Sequence, residues 1–131
     1  MDAYIDIEAA LADAAGPSTC APPLPEGFSL PFALFTRTGG DTSDHIYTTH
    51  NVSVDTYAET WAQAQEYAAR GAAWICNLEG QTIGYGEDDD RVEVPVYTAT
   101  CQAPYNNPDP KHPNVPRVTF MATLATRTIR L

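Results

Sequence analysis

"TRTGGDTSDHIYTTHNVSVDTYAET" occupies residues 36–60, and its reading decides the fold. Gly39-Gly40 breaks the chain, and a polar run holding Asp41, Asp44 and His45 follows. From Ile46 the residues alternate. Ile46, Thr48, His50, Val52 and Val54 fall on one side of an extended strand, and Tyr47, Thr49, Asn51, Ser53 and Asp55 on the other. One largely apolar and one polar face suit an antiparallel sheet with a solvated side. Thr56-Tyr57-Ala58-Glu59 then reads T-x-x-E, a capping box that opens a helix. The stretch predicts a strand over about 46–55 running straight into a helix.

Upstream, "FSLPFALFTRTGG" alternates Leu30, Phe32 and Leu34 toward one face, with Pro31 marking an edge strand or a late strand start. A first helix over about 2–15 places Tyr4, Ile7, Leu11 and Ala14 on one stripe. Asp2 is its expected cap and Gly16-Pro17 its stop. "PSTCAPPLPEG" between them reads as an extended connector.

Downstream, "WAQAQEYAARGAAWICNL" carries the second helix. Its expected buried stripe is Tyr57, Trp61, Ala64, Ala68 and Ile75. Gly71 costs roughly 1 kcal/mol inside a helix, so the helix either absorbs it or ends there. "EGQTIGYGEDDD" reads as a turn region and "CQAPYNNPDPKHPNVP" as a long loop. Two strands complete the chain. The first turns Val92, Val94 and Val96 inward with Pro95 at an edge or bulge, and the second aligns Val118, Phe120, Ala122 and Leu124. The expected fold is α+β: a single domain, 1–131, with a mostly antiparallel four-stranded sheet and two helices packed on one face, in the order α-β-β-α-β-β.

Seventeen acids against seven bases give a net charge of −10. Gripping a phosphate backbone needs clustered Lys and Arg, and this chain scatters them. The acidity suits a surface that DNA slides past, and it disfavours anionic lipid. Cys20, Cys76 and Cys101 are odd in number and widely spaced, which reads as three free thiols in a reducing compartment, Cys76 as a buried one. Acidic residues near the start argue against a secretory signal, and no apolar run reaches membrane-span length.

Candidate chemistry is sparse. His45, His50, Asp41 and Asp44 have metal-ligand character, but residues five apart on a strand point to opposite faces. Glu87-Asp88-Asp89-Asp90 lacks the spacing of a calcium loop and reads as a solvated acidic turn or an electrostatic contact. Tyr105, Asn106 and Asn107, in the proline-rich loop, have the character of partner-contact residues, as do Asp88, Asp89 and Asp90. Trp61 and Trp74 are expected in the core or at a subunit interface. No serine, cysteine or glycine-rich motif marks a nucleophile or a phosphate loop, so no catalytic residue and no cofactor is expected.

"IDIEAALADAAG", the stretch from Thr36 to Trp74 and "PRVTFMATLATRTIRL" together resemble the small tail-terminator and neck proteins of long-tailed bacteriophages. The shared features are an initial Ala/Leu helix, a strand ending at Gly-Gly, a V-x-V-D-x-[YF]-A strand at 52–58 feeding an Ala-rich helix, and a final strand of which this chain keeps the L-x-x-R of Leu124 and Arg127 and has Met121 where the pattern has Thr. Segments 17–27, 87–90 and 102–116 lie outside these motifs. The resemblance implies a virion protein without enzymatic activity. It implies a homo-oligomeric ring, typically a hexamer, that caps the tail tube, meets head-closure proteins and lets DNA pass unbound. Another neck role, tail completion or head closure, fits the same motifs. A small metal- or ligand-binding domain or enzyme using His45 and His50 is the alternative from a different class.

Overall fold

The computed structural model describes residues 2–3, 5–41, 46–127 and 129–130. In chain order the elements are β1 (Asp2–Ala3), α1 (Ile7–Ala15), β2 (Thr19–Cys20), β3 (Phe32–Asp41), β4 (Tyr47–Tyr57), α2 (Trp61–Cys76), β5 (Thr82–Tyr85), β6 (Val92–Cys101), β7 (Tyr105–Asn106), β8 (Arg117–Arg127) and β9 (Ile129–Arg130). Seven strands make one sheet in the order β2-β3-β4-β8-β6-β5, with β7 also on β8, and β1 pairs with β9. The sheet is mixed, because β2 runs parallel to β3, and it curls into a half-barrel.

This overturns the expected four-stranded, mostly antiparallel sheet in the order α-β-β-α-β-β. Three strands were hidden in segments read as connector, turn and loop. β2 arises where the proline-rich connector lays Thr19 and Cys20 beside Ala33 and Leu34. β5 holds Gly84 for a packing reason: a Cβ there would lie 2.7 Å from the Val92 carbonyl oxygen of the paired strand. β7 takes the β8 edge at Val118 and Thr119, beyond the stretch that β6 occupies from Ala122 to Thr126.

The β3–β4–β8 ladder follows period-two alternation. Even-numbered residues of β4 and β8 face the helices, so Val52, Val54, Val118, Phe120, Ala122 and Leu124 are buried there. Ile46 shares their parity but lies beyond the sheet end and is 63% exposed. β3 does not stop at Gly39-Gly40. It passes a register shift between Arg37 and Gly39 and pairs on to Asp41. Gly40 has φ +147, and a Cβ there would run into the Thr49 carbonyl oxygen, so only glycine keeps this pairing.

Both helices start later than the sequence patterns suggest. α1 begins at Ile7, with the Asp6 carboxylate accepting from Ala9 N–H at 3.0 Å. The expected cap Asp2 instead lies in β1, and Tyr4 falls outside the described residues. α2 is capped by Thr60, which accepts from Gln63 N–H at 3.1 Å, because β4 runs on through Thr56 and Tyr57. Tyr57 is buried from the strand, whereas Trp61 is 40% exposed; Ala64, Ala68 and Ile75 form the inward stripe. Gly71 sits inside α2, 3.3 Å from the Phe120 ring by its would-be Cβ, and this brings the helix close to β8.

α1 spans the opening of the half-barrel. On one side Glu8 accepts from the Arg37 backbone N–H at 2.7 Å, and on the other the Tyr85 hydroxyl accepts from Asp6 N–H at 3.0 Å. Two strand edges are thereby covered by one helix. Ile7, Ala10 and Leu11 fill the space beneath it.

Candidate functional site

Four places hold the polar and aromatic groups with chemical potential. The first is His50. β4 parity turns it to the inner face, where it is 1% exposed. Arg37 Nε donates to its Nδ1 at 3.0 Å, so Nε2 carries the proton and donates to Thr126 Oγ1, also at 3.0 Å. Burial, followed by the Arg37 charge, pulls the imidazole down to about 4, so it is neutral at ordinary pH. Both ring nitrogens are used within the protein. Asp41 pairs with Thr49 on the opposite face, and Asp44 and His45 lie outside the described residues. Among the described residues no group of three or more His, Cys, Asp and Glu side chains is arranged to hold a metal ion.

The second place was missed in the sequence. Residues 107–116 fold back over the outer face at the far end of β4. Asp109 accepts from the Tyr57 hydroxyl, from His112 Nδ1 and from the Lys111 N–H, each at 3.0 Å, and Arg117 Nη1 stands 3.7 Å away. Burial works to raise the Asp109 carboxyl, but these hydrogen bonds and the Arg117 charge outweigh it and bring it down to about 2. Burial, with Asp109 beside it, pushes the Tyr57 phenol up to about 12. Phe28 packs on Phe32, Tyr57 and His112 at ring-centroid distances of 5.4, 5.1 and 5.6 Å. The Asp-x-x-His spacing at 109–112 was a local signal of a turn, but Tyr57 lies 52 residues away and nothing in the sequence joins them. This network pins the loop to the sheet.

The third is the cleft between the C-terminal end of α1, the middle of α2 and the inner face of β3 and β4. Its volume is about 410 Å³. Ala14, Ala33, Phe35, Val54 and Trp74 form apolar walls, Tyr67 and Arg70 stand at the rim, and Thr56 lies within.

The fourth is a pair of exposed aromatic patches. Tyr47 and Tyr97 meet edge to face at 5.1 Å beside Ile46, at one end of β4. Trp61 at the start of α2 and Tyr105 on β7 are exposed toward the other end, where Gln65 donates to Asn106 at 2.8 Å and ties α2 to β7; Tyr67, also exposed, lies on the opposite flank of α2 at the cleft. Ten residue steps of β4 separate Tyr47 from Tyr57, about 33 Å at strand rise.

The remaining sequence candidates are scattered. Asp88, Asp89 and Asp90 form an exposed 3-10 turn between β5 and β6, with Asp88 at φ 49. Tyr105 and Asn106 are exposed on β7, and Asn107 donates through its side chain to Thr119 at 3.1 Å. Cys76, expected to be buried, is exposed at the end of α2 because the inward stripe passes through Ile75. Cys101 donates to the Ala72 carbonyl at 3.6 Å, and burial with Cys76 beside it pushes its thiol up to about 12. A thiol so disfavoured as thiolate is a poor nucleophile. No protein-family model matches the chain, and no curated protein matches it.

Proposed function

We propose that the chain is a structural subunit that assembles head to tail into a closed ring, as a tail-terminator protein of a long-tailed bacteriophage caps its tail tube. One observation carries the reading: exposed aromatic residues stand at both ends of β4, Tyr47 packed on Tyr97 at one, and Trp61, just past the strand, with Tyr105 of β7 toward the other. Exposed apolar groups gathered in this way mark interaction surfaces, and tyrosine and tryptophan are the residues interfaces favour. A ring needs two different, complementary surfaces on each subunit, whereas a two-fold dimer needs one. The net charge of −10 supports a channel through which DNA passes without sticking. The other neck roles share these features.

The test is mass by light scattering after size exclusion, with negative-stain imaging. The wild type is expected as rings with a central hole. Tyr97→Ser and Trp61→Ser each spoil one patch and are expected to be folded monomers. Mixed together, they retain one intact pair of surfaces and are expected to give dimers only. A wild type that stays monomeric both alone and with purified tail tubes refutes the reading. Capping of tubes assigns the terminator role; binding to isolated heads assigns head closure.

A further inference from the structure

We propose that the cleft between α1 and α2 is a binding site for a small, uncharged, mainly aromatic ligand with one hydrogen-bonding group, which Thr56 receives. This goes beyond the ring reading and does not depend on it. The cleft's volume of about 410 Å³ lies within the roughly 300–1,000 Å³ of small-molecule pockets, and its walls are mainly apolar. Phe35 and Trp74, with ring centroids 6.5 Å apart, offer flat aromatic surface. The indole N–H of Trp74 makes no hydrogen bond within the described residues.

Thr56 is the decisive residue. It is 4% exposed and shares the inner face with Val52 and Val54. Every other buried polar side chain among the described residues has a partner. His50 and Thr126 bond to each other, Thr119 donates to Asp55 at 2.6 Å, Asp109 holds its network, and Thr48 also interacts. Thr56 alone has a hydroxyl with none. Among the described residues no fully sealed side-chain polar atom is left unpaired, so this hydroxyl opens on to the cleft it lines. Valine would fill the same space without an idle hydroxyl. The mouth carries no unbalanced charge, because Arg70 is held by Glu66 at 2.6 Å. An ionic ligand therefore has no counter-charge waiting, and a neutral donor or acceptor fits Thr56.

The experiment compares p-cresol with toluene, two probes of like shape that differ by one hydroxyl. Binding is read by titration calorimetry and by the shift of the Trp74 indole N–H resonance. The wild type is expected to bind p-cresol roughly five- to tenfold more tightly than toluene, the worth of one net hydrogen bond. Thr56→Val is expected to remove that preference while retaining toluene. Ala14→Phe, a change at an exposed wall residue, is expected to abolish binding of both. Absence of binding by the folded wild type up to probe solubility overturns the proposal. So does binding that survives Ala14→Phe, or a preference that survives Thr56→Val. A cleft that takes the probe in dilute protein and loses it on assembly overturns it in favour of a neighbouring subunit's side chain as occupant; monomeric protein that binds the probe supports it, and the ring is then judged separately by whether that protein caps tail tubes.

Discussion

Replacing Asp109 with Asn is expected to destabilise the protein by an amount that depends on pH. Asn keeps the shape and can still accept from the Tyr57 hydroxyl, but it removes the charge that faces Arg117 and His112. The Asp109 carboxyl titrates at about 2 instead of 3.8. Each tenfold change in proton affinity is worth about 1.4 kcal/mol, so ionised Asp109 contributes about 2 kcal/mol to folding. A carboxyl depressed in the folded state contributes fully above its unfolded value. That contribution fades as pH falls from about 4 toward 2. The expected gap between wild type and Asp109→Asn is therefore about 2 kcal/mol at pH 7, which is about 1 M in urea midpoint or about 8 °C in Tm for a domain of this size. Urea melts followed by circular dichroism at pH 7, 5, 4 and 3 measure it. The gap should hold to pH 5 and shrink below pH 4. Equal midpoints at pH 7 refute the claim that the charge is stabilising. A gap that stays constant down to pH 3 refutes its electrostatic origin and leaves only lost packing.

His50 is held below its unfolded pKa, so the unfolded chain takes the proton first. Wild-type stability should fall by up to about 3 kcal/mol between pH 6.5 and 4, and His50→Gln should flatten that slope in urea melts. The same slope in both proteins would assign it to other groups. Asp88, Asp89 and Asp90 changed together to Asn should leave Tm within the change expected of about 0.5 kcal/mol, since all three are exposed and Asn tolerates the φ of Asp88. A lost far-UV signal would make the turn structural. Val54→Asp should prevent folding, because Val54 sits between Phe35 and Phe120 in the ladder and is 2% exposed. Cooperative melting at the wild-type temperature would contradict this packing.

β4 shows how far the sequence could be read. Its alternation put Thr48, His50, Val52 and Val54 on one face, and the β4–β8 ladder has that arrangement because a period-two pattern is local and needs no partner to be seen. What was not legible depends on chain segments far apart. Two paired residues at 19–20 are too short to leave a pattern, and they become a strand only because Ala33 and Leu34 offer an edge. Gly84, beside Ile83, signals a turn in sequence and makes a close strand approach in space. The T-x-x-E motif at 56–59 was a sound local signal that lost to β8: Thr56 and Tyr57 gain ladder partners in Val118 and Arg117, and Thr60 then takes over the cap. The candidate sites follow the same logic. His50 and Thr56 sit six residues apart on one strand face, both polar and both buried. Sequence marks His50 as the chemical residue of the two. Arg37 and Thr126 satisfy its ring completely, so it serves the fold, whereas Thr56 faces the cleft with its hydroxyl unused. Residue type locates a polar group, but only its partners decide whether that group is spent on stability or left for a ligand, and on this strand the less conspicuous residue is the one left over.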